Sequence, residues 1–255
     1  MKSGGVVLSR RQVVVALAGL AAALSTTSLT PLAWAKDAAP EAFSFDALTE
    51  RMRALASQPA PTDEAPLPAV LKSLDYDAYR LIQARDERAV ALSSGFGYFI
   101  EPFHLGWLFQ QPVELYDVRD GAARLIPFSA ADFNYHDPAV ERQMAAITLP
   151  GVAGFRIDCP LNEPGKMAEL VAFLGASYFR ALGRGNAYGG SARGAVINSW
   201  LEQPEEFPRF ASFYVEHADY GTPLTVYAAL EGPSVTGAFR FVFDPATAQR
   251  QDTAV

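Results

Sequence analysis

The stretch VELYDVRDGAARLI at residues 113–126 decides the fold class of this 255-residue chain. Apolar side chains recur on both sides of the pair Asp120-Gly121. An Asp-Gly pair accommodates the two positive φ angles of a type I′ turn, which joins two antiparallel strands directly. The sequence therefore predicts a β-hairpin over these residues.

Short apolar or alternating runs, separated by Gly, Pro and Asp, continue around this hairpin from about Val90 onward. Such runs are typical of strands and tight turns. The predicted strands are 96–100, 153–159, 170–174, 177–182, 195–200, 209–216, 224–230 and 238–243. The span 170–182 is equally compatible with a helix, because short apolar runs do not distinguish the two. Many strands without alternating helices indicate an all-β, antiparallel β-sandwich.

Residues 36–89 are predicted to form short N-terminal helices and a connector. Apolar residues at positions 45, 48, 52 and 55 follow helical spacing behind Ser44, which can cap a helix. Prolines at 59, 61, 66 and 68 predict a stiff connector, and Pro68 and Asp75 can each begin a further short helix. The chain thus divides into a leader over 1–35, helices and connector over 36–89, and a sandwich over 90–255.

The leader is typical of an export signal peptide. It carries basic residues, then the apolar run 13–24, then Ala33-Trp34-Ala35, which fits a cleavage site. The residues SRRQ at 9–12 resemble a twin-arginine export motif, with an ordinary secretory leader as the alternative. The apolar run is shorter than the ~20 residues that span a bilayer, so we expect that the mature protein does not cross the membrane. The export signal itself predicts that the mature protein lies in the periplasm.

Composition excludes several classes of function. The net charge is −7, with no concentrated basic patch, so a nucleic-acid partner is disfavoured. Cys159 is the single cysteine, which precludes an intrachain disulfide. The three histidines lack the spacing of a metal site, no cofactor motif occurs, and the two partial G-x-S-x-G motifs lack their final glycine. We therefore expect neither a metal nor a cofactor.

Residues 173–216 combine aromatic rings with glycine, arginine and glutamate at the highest density in the chain. Sugar rings present apolar faces and a rim of hydroxyl groups, so aromatic platforms beside charged hydrogen-bonding groups are typical of carbohydrate sites. The same aromatic residues would also fill the core of any sandwich. Cleavage of a glycoside additionally needs a pair of carboxyl groups, and the sequence does not show which pair would converge.

Three long runs carry a specific resemblance. They are FLGASYFRALGRGNAYGGSARGAVI at 173–197, EEFPRF at 205–210 and LTVYAALEGPSVTGAFRF at 224–241, with shorter matches at FHLG (103–106) and GFR (154–156). They resemble the bacterial periplasmic glucan biosynthesis protein G and D family, and the twin-arginine leader favours the protein D branch. The resemblance implies a sandwich similar to galactose mutarotase folds, a following immunoglobulin-like domain, and action on β-1,2-linked glucans as a glycoside hydrolase or transglycosylase.

Two departures from the family pattern matter. Family chains are roughly twice as long, so the sandwich is expected to be incomplete, the second domain absent, and the catalytic acid outside this chain. In addition, Gly190 and Asn198-Ser199 stand where relatives commonly have Leu and Asp-Thr. Since Asn cannot transfer a proton as Asp does, any function at that position changes here.

The leading hypothesis is a periplasmic enzyme of this family that acts on β-1,2-glucan and whose catalytic residues are unassigned. The resemblance and the residue types together suggest that Tyr178, Arg180, Tyr188 and Arg193 hold the glucan, with Trp107 as a further platform. The alternative is a non-catalytic glucan-binding or scaffold protein that assists a membrane glucan synthase. A third possibility is an unstable fragment with exposed sheet edges.

Overall fold

The computed structural model describes residues 39–59, 67–93, 97–186 and 188–245. The predicted leader over 1–35, most of the proline-rich connector and position 96 lie outside the described residues.

Two six-stranded sheets form the body of the described chain. The strands are β1 (Glu41–Ala42), β2 (Gln83–Ala84), β3 (Val90–Ala91), β4 (Phe99–Phe103), β5 (Glu114–Arg119), β6 (Ala122–Leu125), β7 (Phe133–Asn134), β8 (Gly154–Glu163), β9 (Lys166–Leu174), β10 (Tyr178–Ala181), β11 (Gly190–Arg193), β12 (Arg209–Glu216), β13 (Leu224–Glu231) and β14 (Thr236–Phe243). The first sheet has the order β1-β6-β5-β12-β13-β14 and the second β11-β10-β9-β8-β4-β3, while β2 and β7 pair separately.

The hairpin predicted around Asp120-Gly121 is confirmed as β5 and β6. Tyr116 pairs with Leu125, and Arg119 pairs with Ala122. The two turn residues have φ angles of 51° and 73°, as the type I′ turn requires. The local chemistry of the turn thus sets the register of this pair.

Aromatic side chains from both sheets meet in the interior. The ring centroids of Phe155 in β8 and Phe213 in β12 lie 4.9 Å apart, and those of Phe173 in β9 and Phe241 in β14 lie 5.3 Å apart. These rings are almost fully buried, and burial of a side chain of this size contributes about 1.5–3 kcal/mol. The predicted all-β sandwich is therefore confirmed, with its core between the two sheets.

One strand pair departs from the antiparallel rule. β12 runs parallel to β5, with Ser212 opposite Glu114 and Glu216 opposite Val118. The remaining pairs of named strands are antiparallel. The parallel pair joins the N-terminal hairpin to the C-terminal strands and so completes the first sheet.

The helices are short and begin at capping residues. Their bounds are α1 (Phe45–Leu55), α2 (Ala69–Lys72), α3 (Tyr76–Tyr79) and α4 (Pro138–Ala145), with two 3₁₀ turns at Asp86–Arg88 and Ala130–Asp132. The Ser44 hydroxyl accepts a hydrogen bond from the Ala47 amide at 3.1 Å, and the Asp75 carboxylate accepts one from Ala78 at 2.9 Å. The caps that the sequence predicts at Ser44 and Asp75 are thus confirmed. The helix α1 packs on the first sheet, where its Leu48 and Met52 lie in one cluster with Tyr214 and Tyr227.

Of three further segments, one was predicted wrongly, one had been left open between strand and helix, and one is a helix that was not predicted. Residues 195–200, predicted as a strand, instead form a loop in which Asn198 and Trp200 have positive φ angles of 57° and 62°, which extended backbone excludes. The span 170–182 is strand, β9 followed by β10, rather than helix. The helix α4 was not predicted, although Asp137 caps it and Pro138 occupies its first turn.

Candidate functional site

A cleft of about 340 Å³ opens where several strands of both sheets begin or end. It is lined by the loop 107–111, by Val113, Ala153 and Gly154, by residues 173–176, and by Tyr178, Arg209, Phe210 and Phe213. Gly154 is the first residue of β8, Arg209 the first of β12 and Tyr178 the first of β10. The cleft therefore lies at one end of the sandwich, at the mouth of its core.

The floor of the cleft is aromatic. Phe173, Phe210 and Phe213 are almost fully buried, with the centroids of Phe173 and Phe213 4.9 Å apart. These rings belong to the core and also face the cleft, so they fix the shape of its inner wall. The space at Gly154 is equally constrained, since a Cβ atom there would lie 2.1 Å from the carbonyl oxygen of Phe173.

Trp107 forms part of the outer wall. It lies in the loop between β4 and β5, directly after Gly106, and both residues have positive φ angles, 49° for Trp107 and 142° for Gly106. Its ring centroid lies 5.2 Å from that of Tyr76 in α3 and 5.9 Å from that of Phe109. The N-terminal helix α3 thus supports the tryptophan that lines the cleft.

Tyr178 also lines the cleft, and Arg193 is its direct partner on β11. The guanidinium carbon of Arg193 is 5.4 Å from the centroid of the Tyr178 ring and 5.6 Å from that of Phe207. Arg193 Nη1 also donates to Glu205 Oε1 at 2.6 Å. The guanidinium group of Arg193 therefore interacts with two aromatic rings and one carboxylate of the protein itself.

Arg180 and Tyr188, the other two predicted binding residues, are not among the residues that line the cleft. Arg180 donates two hydrogen bonds to the carboxylate of Glu169, each of 2.8 Å. Tyr188 is 90% exposed in the loop that joins β10 to β11, at the other end of these strands from Tyr178. The structure thus brings Trp107 and Tyr178 to the cleft, places Arg193 behind Tyr178, and leaves Arg180 and Tyr188 outside.

The family model of the periplasmic glucan biosynthesis protein, MdoG, matches residues 43–255. The chain belongs to this family. It is 53% identical over 209 residues to glucans biosynthesis protein G of Cereibacter sphaeroides, a match that covers 82% of this chain and 38% of the relative. It is 38% identical over 246 residues to protein G of Rhodopseudomonas palustris, covering 93% and 46%, and 40% identical over 204 residues to glucans biosynthesis protein D of Stenotrophomonas maltophilia, covering 79% and 37%.

The family assignment agrees with the resemblance found in the sequence. Relatives named protein G and protein D both match, so these identities do not favour the protein D branch. The chain spans less than half the length of the curated relatives given above.

A separate group of charged residues lies on the outward side of the second sheet. Arg156 Nη2 donates to Glu101 Oε2 at 2.5 Å, and its Nε lies 3.0 Å from Asp158 Oδ2. Burial raises the pKa of Asp158 to about 6, opposed by Arg156 and reinforced by Glu101. None of these residues lines the cleft. Among the described residues, no group of His, Cys, Asp or Glu is suited to hold a metal ion.

Two buried titratable groups are held in their neutral forms. Burial lowers the pKa of His104 to about 4, although its ring nitrogen Nδ1 donates to the Leu105 carbonyl at 2.5 Å. Burial raises the pKa of the Cys159 thiol to about 12, which leaves it protonated and unreactive. Cys159 is therefore a buried, apolar part of the core.

Sequence reasoning missed most of the loop that lines the cleft. Gln110 Nε2 donates to the Trp107 carbonyl at 2.7 Å, and Arg209 Nη1 donates to the Pro112 carbonyl at 3.1 Å. Arg209 lies within the run EEFPRF and within the segment 173–216, which is rich in aromatic, arginine and glutamate residues. The sequence places Arg209 at the start of a predicted strand, but no neighbouring residue indicates that its side chain contacts the loop before β5, almost a hundred positions earlier.

Proposed function

We propose that this chain acts in periplasmic glucan biosynthesis by binding the β-1,2-linked glucan backbone in the cleft. The observation that carries the proposal is the aromatic lining of the cleft, in which Trp107 and Tyr178 accompany the buried rings of Phe173, Phe210 and Phe213. Aromatic rings pack against the apolar faces of sugars, while polar groups at the rim bind hydroxyls. Gln110, Gln111 and Arg209 supply such polar groups.

The charge of the cleft also suits a neutral polymer. Of the described residues that line it, Arg209 carries a charge and none is Asp, Glu or His. A neutral ligand enters such a site without the cost of burying an unpaired charge. The names of the relatives, glucans biosynthesis proteins G and D, support a glucan as that ligand.

We place the protein in the periplasm. Support comes from the description of the family model, which names periplasmic proteins, and from the signal-like leader over 1–35. No helix of the described residues is long and apolar enough to cross a membrane.

The chemistry performed on the glucan is a separate proposal. Glycoside hydrolysis or transglycosylation, suggested by the family resemblance, requires carboxyl groups on both sides of the scissile bond. The described lining of the cleft contains no carboxylate, which assigns binding and positioning to these residues. The same observation favours the second candidate, a glucan-binding protein that assists a membrane glucan synthase without cleaving the polymer.

Calorimetric titration of the purified chain with linear β-1,2-glucan tests the proposal, with a β-1,4-linked glucan of equal length as the ligand control. We expect saturable binding that Trp107→Ala and Tyr178→Ala each weaken by about tenfold, the loss of one aromatic platform. Tyr220→Ala is the matched control, because Tyr220 contacts Pro160 near the other end of β8. Equal binding of both linkages, or insensitivity to both cleft variants, would overturn the assignment.

The same samples distinguish the two candidates. Shorter or rearranged glucans after incubation, resolved by size, indicate hydrolysis or transglycosylation. Unchanged glucan that nonetheless binds indicates the non-catalytic role.

A further inference from the structure

The loop between β11 and β12 presents apolar side chains to solvent. Trp200 is fully exposed, at 102% of its reference area, and its neighbour Leu201 is 63% exposed. Single exposed apolar residues are common, but a fully exposed tryptophan forgoes the largest gain from burial that any side chain offers.

The backbone that presents Trp200 is strained. Asn198 and Trp200 have positive φ angles of 57° and 62°. Asn tolerates this region, whereas a bulky residue such as tryptophan is a true outlier there. Strain of this kind persists where the surrounding structure imposes it, and it concentrates at functional sites.

The base of the loop supplies that constraint. The Glu206 amide donates to the Ile197 carbonyl at 3.2 Å, which closes the loop. The Glu206 carboxylate accepts from the Ser234 amide at 3.0 Å and from the Ser234 hydroxyl at 2.6 Å. Glu205 pairs with Arg193 at 2.6 Å. A braced base with an apolar tip is a means of presenting one ring at a defined position.

The braced base is continuous with the wall of the cleft. Arg193 contacts Phe207 at the end of the loop and, with the same guanidinium group, Tyr178 in the wall. The base of this loop therefore lies beside Tyr178, at the margin of the cleft.

The cleft alone is small for a polymer. Its volume of about 340 Å³ is near the lower limit of pockets that hold compact ligands. A glucan chain that occupies it must continue over the surface outside.

We propose that Trp200 is a second carbohydrate platform, which stacks on a glucose unit of the chain beyond the cleft. This inference rests on the proposed function. A protein partner fits less well, because a stable interface buries about 800 Å² on each side. The exposed apolar side chains of this loop are Val196, Trp200, Leu201 and Phe207, and Glu202 and Gln203 directly follow the pair at its tip.

The test compares short and long linear β-1,2-glucans by calorimetry, using the full chain. We expect Trp200→Ala to weaken binding of the long glucan by about tenfold, to leave the short glucan unaffected, and to leave the midpoint of thermal unfolding unchanged. Trp200→Tyr is expected to restore most of the affinity, since it retains a ring. Leu201→Ala, in the same loop, is the matched control and should bind both glucans as the parent chain does.

Two results would overturn the inference. If Trp200→Ala binds the long glucan as well as the parent while Trp107→Ala weakens the short one, the platform is wrong and the cleft assignment stands. If sedimentation shows self-association that Trp200→Ala abolishes, the tip binds a second copy instead of sugar. Absence of any glucan binding by the parent chain would remove the proposed function and this inference together.

Discussion

Arg193 lies over the ring of Tyr178, its direct partner on the neighbouring strand, with the guanidinium carbon 5.4 Å from the ring centroid. Phe207 packs against the same guanidinium at 5.6 Å, and Glu205 accepts its hydrogen bond at 2.6 Å. Arg193 was predicted to hold glucan itself. From these contacts we propose that it acts on the cleft by holding the orientation of the tyrosine ring.

Replacement of Arg193 by lysine should therefore weaken glucan binding through Tyr178. Lysine keeps the charge but loses the planar group that lies between two rings and meets the carboxylate. We expect a loss of affinity of about fivefold to tenfold in the parent background and none in a Tyr178→Ala background. Calorimetric titration of the two single variants and the double variant measures this coupling. An equal loss in both backgrounds would instead mean that Arg193 contacts the glucan.

Replacement of Tyr76 by alanine should weaken glucan binding, although Tyr76 itself is not among the residues that line the cleft. Its ring supports Trp107 at a centroid distance of 5.2 Å, yet the side chain itself is largely exposed. We expect Tyr76→Ala to lower the free energy of unfolding by no more than about 1 kcal/mol while weakening glucan binding severalfold. Leu81→Ala, an exposed residue just after α3, serves as the control for stability and binding. Unchanged affinity in Tyr76→Ala would show that Trp107 needs no support from α3.

Stability between pH 4 and 6.5 should reflect two opposing titrations. The pKa of His104 falls from 6.5 to about 4 on folding, so its contribution is present above pH 6.5 and lost as the pH falls toward 4. The pKa of Asp158 rises from 3.8 to about 6, so its contribution is present below pH 3.8 and lost as the pH rises through 6. The two contributions have opposite signs over this pH range, so they offset one another in the parent protein.

Single variants should expose each titration. His104→Gln leaves the Asp158 contribution, so its free energy of unfolding should fall as the pH rises from 4 to 6. Asp158→Asn leaves the His104 contribution, so its free energy of unfolding should rise over the same range. Urea denaturation at four pH values measures both trends, and parallel pH profiles for the two variants would contradict the assignment.

The turn between β9 and β10 offers a matched pair of glycine and alanine substitutions. Gly175 has a φ angle of 73°, and a Cβ atom there would lie 3.0 Å from Phe109, so Gly175→Ala should destabilise the protein by about 1–2 kcal/mol. Ala176 has a φ angle of 43°, so Ala176→Gly should relieve strain and stabilise by up to about 1 kcal/mol. Chemical denaturation midpoints give both values, and two changes of the same sign would show that backbone conformation does not decide them.

Features with a local cause could be predicted from sequence. The hairpin at Asp120-Gly121 follows from its turn, and the first and third helices follow from Ser44 and Asp75, because capping and turn chemistry act within a few residues. The strands at 209–216 and 224–230 follow from their short apolar runs, each bounded by turn residues. Trp107 and Tyr178 were chosen as sugar platforms from residue type and family resemblance, and the structure places both in one cleft.

Features with a distant cause could not be predicted. The run 195–200 has the apolar content of a strand. It forms a loop instead, whose base is closed by the hydrogen bonds of Glu206 to Ile197 and Ser234. The lining of the cleft combines a loop at 107–111 with residues from two sheets. These segments are far apart in the sequence, so no local pattern predicts that they lie together. The placement of Arg193 behind Tyr178 depends on strand register, which a one-residue shift would reverse.

The parallel pairing of β5 with β12 has a kinetic consequence. Four of the six strands of the second sheet, β8 to β11, lie between these two strands along the chain, so the first sheet cannot be completed until most of the body has been synthesised. Closure over so long a loop is entropically costly, and chains dominated by such contacts fold slowly. Until it occurs, β5 and β12 each present an open edge to solvent, and nascent chains in this state are the ones most exposed to aggregation and most dependent on chaperones.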